Sequence, residues 1–287
     1  MTFLQAIVLG IVQGLTEFLP ISSTAHLRIV PVLFDWHFHY SGHSAGYATT
    51  NDPGAAFTAV VQLGTTLAIV LYFWRELLQV TVAWFRGLRD KSVRSSLEYK
   101  LGWYLILATV PIGLAGLIFS HQIETGARNL WLIASALIGL ALVLFWAERV
   151  GARTREEEEI NGKDALAVGA AQTLSLIPGS SRSGTTITAG LFRGLTREAA
   201  ARFSFLLSIP AVVLSGLYEL KDVGKGGPGA GLTGVAVVFA FIVGLASIHW
   251  LMRWLANHST MIFIYYRVAM GVLLIVLLST GVISATK

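Results

Sequence analysis

Four polar side chains that could take part in a reaction lie close together near the N-terminus: Gln13, Glu17, Ser23 and His26. Gln13 and Glu17 are four residues apart, which places them on one face of a helix. A carboxylate, a hydroxyl and an imidazole are groups that nucleophilic catalysis commonly uses. The position of Ser23 between Glu17 and His26 therefore makes it a candidate nucleophile.

The segment around Ser23 also predicts the start of a helix. Pro20 ends the preceding helix, and Ser22 and its neighbours are common N-terminal caps. If the second helix begins there, Ser23 and His26 lie three residues apart on the same face. A helix N-terminus favours anions, so Ser22 becomes a candidate for phosphate binding. Capping alone would also account for Ser23, and that alternative stays open.

A second polar segment, Pro-Gly-Ser-Ser-Arg-Ser-Gly-Thr-Thr at 178–186, has the composition of a phosphate-binding loop. Glycine lets the backbone approach a ligand closely, hydroxyls donate hydrogen bonds, and the fork of Arg182 fits phosphate oxygens. The segment is not a Walker A loop, because Thr185 stands where that motif has Lys and no strand precedes it. The predicted phosphate-binding residues are Ser22, Gly179, Ser181, Arg182, Ser183 and Thr186.

The elements that must hold these residues are those of a membrane protein. Of the 287 residues, 54% are hydrophobic and only 13% are charged, whereas a soluble domain usually carries about 25% charged residues. The Lys and Arg residues behind the net charge of +5 lie mostly in loops between apolar segments. They therefore indicate membrane topology rather than binding of nucleic acid. The chain contains no cysteine, which excludes disulfides, thiolate catalysis and cysteine metal sites.

Six segments are predicted to span the membrane, for which about 20 apolar residues are needed. Two other regions, 3–34 and 164–192, each hold two apolar runs that are too short to cross alone. Polar residues, Gly and Pro separate the runs, which predicts a re-entrant hairpin that enters and leaves the membrane on one side. The predicted spans lie near 57–77, 101–119, 130–148, 203–220, 235–254 and 261–281.

The order of hairpin and three spans occurs twice, which predicts two repeats, 1–150 and 151–287, in one integrated all-α membrane domain. The sequence of 6–23 is echoed in 165–181 with one residue deleted. Because each half has an odd number of spans, we expect the second copy to be inverted. Inverted repeats place the functional site near the midplane, where the interrupted segments meet.

The distribution of Lys and Arg among the loops predicts the orientation. Fourteen of these residues lie on the face that contains the loops 73–100, 149–163 and 193–202, and only five lie on the other face. The positive-inside rule places the first face in the cytoplasm. Both termini and the mouth of the first hairpin are therefore expected outside.

Ionisable residues at membrane depth are costly, which makes Glu17, His26 and Arg182 functional candidates. Two plainer interpretations stay open. Glu17 and Arg182 could neutralise each other as a buried ion pair that locks the two halves together. Thr186 could be an ordinary helix hydroxyl bonded to a carbonyl. The ion pair alone does not explain why hydroxyls surround both charged residues.

The two polar segments resemble a known family. GLTEFLPISSTAH at 14–26 and PGSSRSGTT at 178–186 are similar to the signature motifs of the bacterial undecaprenyl-diphosphate phosphatases, also called bacitracin-resistance proteins. The resemblance covers essentially the whole chain. It implies a multi-pass cell-membrane enzyme that removes the terminal phosphate from undecaprenyl diphosphate and so regenerates the lipid carrier of cell-wall polymers. It also implies an outward-opening active site, and a substrate that bacitracin sequesters.

The resemblance further implies a divalent cation, Mg²⁺ or Ca²⁺, bound at Glu17 and Gln13. Many members have Glu at the position of Gln13, so a metal here would have one carboxylate fewer. Residues 35–52 are longer than is usual in the family, and their three His residues could bind a metal or form an interfacial loop. Those residues are His37, His39 and His43. The functional positions of the family fall on Gln13, Glu17, Ser23, His26, Ser181, Arg182 and Thr186.

The mechanism that these residues predict is in-line attack on the terminal phosphorus, with Ser23 as nucleophile and His26 as base. In the alternative mechanism, His26 itself is the nucleophile. Arg182 and the backbone amides of 179–186 would stabilise the developing charge. The rival class is a transporter or flippase of a phosphate-bearing lipid, since inverted repeats with broken helices are common there. The Glu–Ser–His cluster favours an enzyme whose partners are a polyprenyl diphosphate, bilayer lipids and, we also consider, a second copy in a homodimer.

Overall fold

The computed structural model describes the backbone of residues 1–42, 46–119, 129–219 and 229–285, and the side chains among them except at 39–50, 55–56 and 215–219. Most of the described chain is helical, as predicted. The helices are α1 Phe3–Phe18, α2 Ser23–Leu33, α3 Ala55–Tyr72, α4 Trp74–Arg89, α5 Leu97–Ile118, α6 Leu130–Val150, α7 Gly162–Gln172, α8 Arg182–Phe192, α9 Arg197–Glu219, α10 Ala230–Asn257 and α11 Met261–Ser279.

Each predicted hairpin region contains two short helices separated by a turn. The first region holds α1, with 16 residues, and α2, with 11 residues. The second holds α7 and α8, each with 11 residues. A helix of 11 residues is about 16 Å long, roughly half the thickness of the hydrocarbon core. The prediction that these helices are too short to cross alone is confirmed.

Four of the six predicted spans are confirmed as helices long and apolar enough to cross a membrane: α5, α6, α10 and α11. The span predicted at 57–77 is bent instead, because the helix axis turns by 77° between α3 and α4. The bend falls at Phe73, and the charged residues Arg75 and Glu76 lie in the first turn of α4 that follows. The sixth predicted span, 203–220, lies largely in α9. Among the described residues α9 does not meet the same length and hydropathy test, so crossing there stays a prediction.

Each hairpin packs against a span from the other half of the chain. The first lies against α10, where a Cβ on Gly10 would come within 2.4 Å of the carbonyl oxygen of Ala236. The second lies against α5, where a Cβ on Gly169 would come within 2.4 Å of the carbonyl oxygen of Ala108. Gly10 and Gly169 occupy equivalent places in the two echoed segments. The two contacts are therefore reciprocal, and both use the small residues typical of packed membrane helices.

The apolar core anchors the end of α1. The ring of Phe18 meets the ring of Phe205 on α9 edge-on, with centroids 5.7 Å apart. Phe73, at the bend after α3, lies against the same ring with centroids 6.4 Å apart. These contacts fix the helix end that carries Glu17.

A short β hairpin, which the sequence analysis did not predict, lies between α2 and α3. Strand β1, Phe38–Gly42, pairs antiparallel with β2, Gly46–Thr50. His37, His39 and His43, which the sequence allows either as part of an interfacial loop or as metal ligands, fall in or beside this region. His43 lies outside the described residues, and so does the side chain of His39. Both interpretations of these residues therefore stay open.

Candidate active site

The turns that precede α2 and α8 each end in a serine with the same unusual backbone. Ser22 has φ 76° and ψ 98°, and Ser181 has φ 67° and ψ 110°. Positive φ is uncommon for a residue other than glycine. Each serine is the N-cap of its helix, because its Oγ accepts a hydrogen bond from an amide three residues on. The donors are Ala25 at 3.4 Å and Gly184 at 3.2 Å.

This structural equivalence differs by one residue from the pairing that the sequence predicts. The echoed segments align Ser23 with Ser181, whereas the N-caps pair Ser22 with Ser181. The second turn contains one more residue after its proline, and Gly179, with φ 94°, lies in that turn. In consequence Ser23 and Arg182 both occupy the first position of a helix.

The carboxylate of Glu17 joins the two turns. Its Oε2 accepts hydrogen bonds from Ser23 Oγ at 2.6 Å and from Gln13 Nε2 at 2.8 Å. Its Oε1 accepts a hydrogen bond from Arg182 Nη2 at 2.5 Å. The side chain of Glu17 is only 4% exposed. The structure therefore brings four of the predicted site residues into one connected cluster.

A cavity of about 150 Å³ lies at this cluster. Its polar wall comes from both turns, and its apolar wall includes Ile112 of α5 and Val212 of α9. A cavity of this volume can hold several water molecules. Two helix N-termini and the guanidinium of Arg182 make this wall attractive to an anion. The polar residues that line the cavity are Glu17, Ser22, Ser23, Thr24, Gln62, Ser175, Ser181 and Arg182.

His26 lies outside the lining of this cavity. Its Nδ1 is 2.7 Å from the carbonyl oxygen of Ser22, and its Nε2 is 2.6 Å from the hydroxyl of Tyr266. The rings of His26 and Tyr266 stack, with centroids 5.5 Å apart. The predicted contact between Ser23 and His26 is absent from the structure, because Glu17 and Tyr266 bind the two groups instead. Tyr266 was not predicted from the sequence as part of the site.

Two residues predicted to bind phosphate make structural hydrogen bonds instead of lining the cavity. Ser183 Oγ donates to the carbonyl oxygen of Leu19 at 3.1 Å. Thr186 is fully buried, donates to the carbonyl oxygen of Arg182 at 2.8 Å and contacts Ser204 Oγ at 2.6 Å. The plainer interpretation of Thr186 as a helix hydroxyl therefore agrees with the structure.

The residue that holds both turns in place is Arg267 of α11, which the sequence analysis also missed. Its side chain is fully buried, and among the described residues no carboxylate forms a salt bridge with it. A charged residue within an apolar helix of 19 residues was the signal in the sequence. The guanidinium donates instead to backbone carbonyl oxygens, at distances of 3.0 to 3.5 Å, on Pro20, Ala136, Leu137, Gly179 and Ser180. Gly179, a predicted phosphate-binding residue, thus faces Arg267 and does not line the cavity.

Gln13 and Glu17 are the residues predicted to hold a divalent cation. Gln13 Oε1 is buried and has no hydrogen-bond partner among the described residues. Amide and carboxylate oxygens are ligands that Mg²⁺ and Ca²⁺ accept. The described residues contain no group of three or more His, Cys, Asp or Glu that could hold a metal ion alone. Gln13 turns its Nε2, not its Oε1, toward Glu17, so the two oxygens would face one cation only after the side-chain amide turns over. In that orientation the donor set fits a cation that takes its remaining ligands from phosphate oxygens and water.

Several membrane-length helices fit a multi-pass membrane protein. Inside it, a hydroxyl, a carboxylate and a guanidinium cluster at two helix N-termini, an arrangement that can bind an anion. The family model described as "Bacitracin resistance protein BacA" matches residues 6–273. The chain belongs to this family.

Several relatives are similar over the full length of the chain. One is the undecaprenyl-diphosphatase of Mycobacterium sp. (strain KMS), 50% identical over 99% of this chain and 100% of that protein. The undecaprenyl-diphosphatase of Mycolicibacterium smegmatis is 49% identical with the same coverage. That of Myxococcus xanthus is 48% identical over 99% of this chain and 92% of its own length. The resemblance identified from the two motifs is confirmed.

Proposed function

We propose that this protein removes the terminal phosphate from undecaprenyl diphosphate, giving undecaprenyl phosphate and inorganic phosphate. The observation that carries the proposal is the contact of one carboxylate, Glu17, with both Ser23 and Arg182 at a single cavity. In this proposal Ser23 is the nucleophile, Glu17 accepts its proton, and the guanidinium of Arg182 binds the phosphate. Full-length relatives at about half identity are undecaprenyl-diphosphatases. The reaction recycles the lipid carrier and removes the diphosphate that bacitracin sequesters.

The geometry favours Ser23 as nucleophile and Glu17, rather than His26, as its base. Ser23 Oγ lies 2.6 Å from Glu17 Oε2, within reach for proton transfer. The oxygen would attack the terminal phosphorus while the bond from that phosphorus to the bridging oxygen breaks, and undecaprenyl phosphate leaves. Glu17 passes the serine proton to the departing undecaprenyl phosphate and is ionised again. Water then hydrolyses the phosphoserine: Glu17 accepts a proton from the attacking water and returns it to Ser23 Oγ as inorganic phosphate leaves. His26 positions the first turn through the carbonyl of Ser22.

Arg182 and the two helix N-termini stabilise the charge that develops on the phosphate oxygens. The guanidinium would exchange its contact with Glu17 for a bidentate contact with phosphate. The exchange leaves Glu17 free to accept the proton from Ser23. A divalent cation, Mg²⁺ or Ca²⁺, held by Gln13 and Glu17 would add neutralising charge at the same oxygens.

The same proposal includes the inverted repeat and the re-entrant course of both hairpins. It also includes a site near the midplane of the membrane. The reciprocal contacts of Gly10 and Gly169 support the inverted repeat, as do the matching N-caps. The excess of Lys and Arg on one face supports a cell-membrane protein with both termini outside and a cavity that opens outward.

Because the chain has no cysteine, Thr2→Cys would supply a single thiol. Its reaction with an impermeant maleimide in intact cells is the expected result, and labelling only after lysis would contradict the orientation.

The activity test uses the protein purified in detergent with undecaprenyl diphosphate labelled in its terminal phosphate. Release of labelled phosphate is expected, and removal of divalent cations followed by addition of Mg²⁺ or Ca²⁺ tests the metal. No membrane separates two compartments in this assay, so release reports hydrolysis and not transport. No release with both metals supplied would contradict the proposed function and favour a carrier.

Trapping the intermediate separates the two candidate nucleophiles. One portion of the reaction is quenched in acid and another in alkali, and the labelled peptide is identified in each. Phosphoserine survives acid, whereas phosphohistidine is lost in acid and survives alkali. Label on Ser23 is expected, and alkali-stable label on His26 would assign the attack to the imidazole.

A further inference from the structure

A second cavity, of about 600 Å³, lies between α4, α5 and α9. Nearly all of its lining is apolar, including Val80 and Trp84 of α4, Leu105 and Gly113 of α5, and Pro210 of α9. Thr109, one of its few polar lining residues, donates its hydroxyl to the carbonyl oxygen of Leu105 at 2.6 Å and so offers little to a polar ligand. We call this feature the α4–α5–α9 groove. Its chemistry suits a hydrocarbon chain.

The groove adjoins the cavity that contains Glu17. On α5, Ile112 lines the cavity and its neighbour Gly113 lines the groove. On α9, Val212 lines the cavity and Leu214 lines the groove. The passage between α5 and α9 is therefore where a polar, anion-attracting space meets an apolar one. A lipid diphosphate has the same division between its head group and its chain.

The groove also has a suitable length and direction. Its lining residues on α5 extend from Gly102 to Leu114, which is about 18 Å along the helix axis. From the cavity it extends toward the N-terminal end of α5. That end follows the basic segment 73–100, which contains α4 and which the positive-inside rule places on the cytoplasmic side. A lipid with its head group in the cavity would then direct its chain inward. That is the direction of a lipid in the outer leaflet.

We propose that the α4–α5–α9 groove binds the part of the isoprenyl chain nearest the diphosphate. The inference rests on the proposed function, because it takes the substrate to be an isoprenyl diphosphate. The groove holds only a few isoprene units, and the rest of the chain stays in the bilayer. Chain binding at this groove selects isoprenyl diphosphates over soluble phosphate esters.

Two glycines of α5 provide a matched pair for the test. A Cβ at either Gly113 or Gly116 would meet no atom within 4 Å, so both positions have room for a larger side chain. Gly113 lines the groove and Gly116 does not. Since the chain has no cysteine, Gly113→Cys and Gly116→Cys each introduce the only thiol.

The first experiment measures the rate at which an apolar maleimide modifies each thiol in detergent micelles. Undecaprenyl diphosphate should slow the reaction several-fold at position 113 and leave position 116 unchanged. Dioleoyl phosphatidic acid, an anionic lipid without isoprene units, should slow neither. Equal slowing at both positions, equal slowing by both lipids, or no slowing would overturn the proposal.

Phosphate release by the wild type is measured in the same preparation. Its failure with position 113 still protected would contradict the proposed function and leave the groove assignment standing.

The second experiment fills the groove. Gly113→Phe should raise KM for undecaprenyl diphosphate about tenfold, equivalent to about 1.4 kcal/mol, with little change in kcat. Gly116→Phe is the control and should retain the wild-type KM. An unchanged KM in a folded Gly113→Phe protein would overturn the proposal. If that variant does not fold, the cysteine measurements decide.

Discussion

The turns at Ser22 and Ser181 share a backbone conformation and differ in the residue that follows. In the first turn that residue is Ser23, and in the second it is Arg182, yet both side chains reach the same carboxylate. The helix α1 supplies Glu17, whereas the corresponding part of the second hairpin supplies the neutral residues Ser175 and Leu176 to the same cavity. The comparison shows how one scaffold, used twice, can hold a nucleophile on one side and a phosphate-binding cation on the other.

Both turns also carry the same conformational cost. A non-glycine residue at positive φ is disfavoured by about 1–3 kcal/mol, and such residues persist only where the surroundings hold them. Arg267 provides part of that support, since it donates to the carbonyl oxygen of Pro20 in one turn and to those of Gly179 and Ser180 in the other. The two turns are therefore stabilised from one point while they carry different chemistry.

The largest expected effect comes from the residue that distinguishes the first turn. Ser23→Ala should lower phosphate release by about 10⁴-fold or more, as expected for loss of a nucleophile. Ser22→Ala, one residue away, removes a cap and should lower the rate far less. Steady-state phosphate release measures both variants. Near-normal turnover by Ser23→Ala would show that the first turn only binds and that the nucleophile lies elsewhere.

The pair of Glu17 and Arg182 tests whether the two turns are coupled. Glu17→Gln and Arg182→Met each leave a buried polar or charged group without its partner, and each should lower the free energy of unfolding by about 3 kcal/mol or more. The double variant should lose less than the sum, by about 1–3 kcal/mol. Denaturant unfolding in detergent gives the three values. Additive losses would mean that the 2.5 Å contact does not couple the turns.

Much of this comparison could be predicted from the sequence, because the ends of the short helices and the faces of their side chains depend on neighbouring residues. Proline and serine marked the ends and starts of the short helices, and the spacing of Gln13 and Glu17 placed both on one face. The clustering of Glu17 and Arg182 followed from the repeat and from the cost of isolated charges in a membrane. These predictions rest on residues within one helical turn or on strong energetic penalties.

The details that failed depend on distant contacts. The sequence could not show which serine adopts positive φ, so its pairing of the turns was off by one residue. The orientation of His26 depends on Tyr266, which lies 240 positions away. The acceptors of Arg267 are backbone carbonyls in three separate segments. Every residue has a backbone carbonyl, so residue types do not indicate which of them accept a hydrogen bond.

The shared support is tested through Arg267. Arg267→Met leaves carbonyl oxygens of both turns without a donor, at about 1–3 kcal/mol for each group that becomes buried and unsatisfied. We expect a loss of about 3 kcal/mol in unfolding free energy and a lower kcat with little change in KM. Arg267→Lys, which keeps a donor, should recover part of both losses. A loss confined to stability, with kcat unchanged, would show that the turns keep their geometry without this residue.

The smallest effects test whether the two turns are equivalent. Ser22→Ala and Ser181→Ala each remove the hydroxyl that accepts the amide hydrogen bond and should each lower the unfolding free energy by about 1 kcal/mol. Ser22→Gly and Ser181→Gly remove the same hydroxyl, but glycine adopts positive φ without strain, so each should cost less than the alanine variant. The difference between alanine and glycine at one position measures the strain of that turn. Equal differences would confirm that the turns are the same structure. A clear difference only at Ser181 would show that the longer second turn, with Gly179, holds its backbone under more strain than the first.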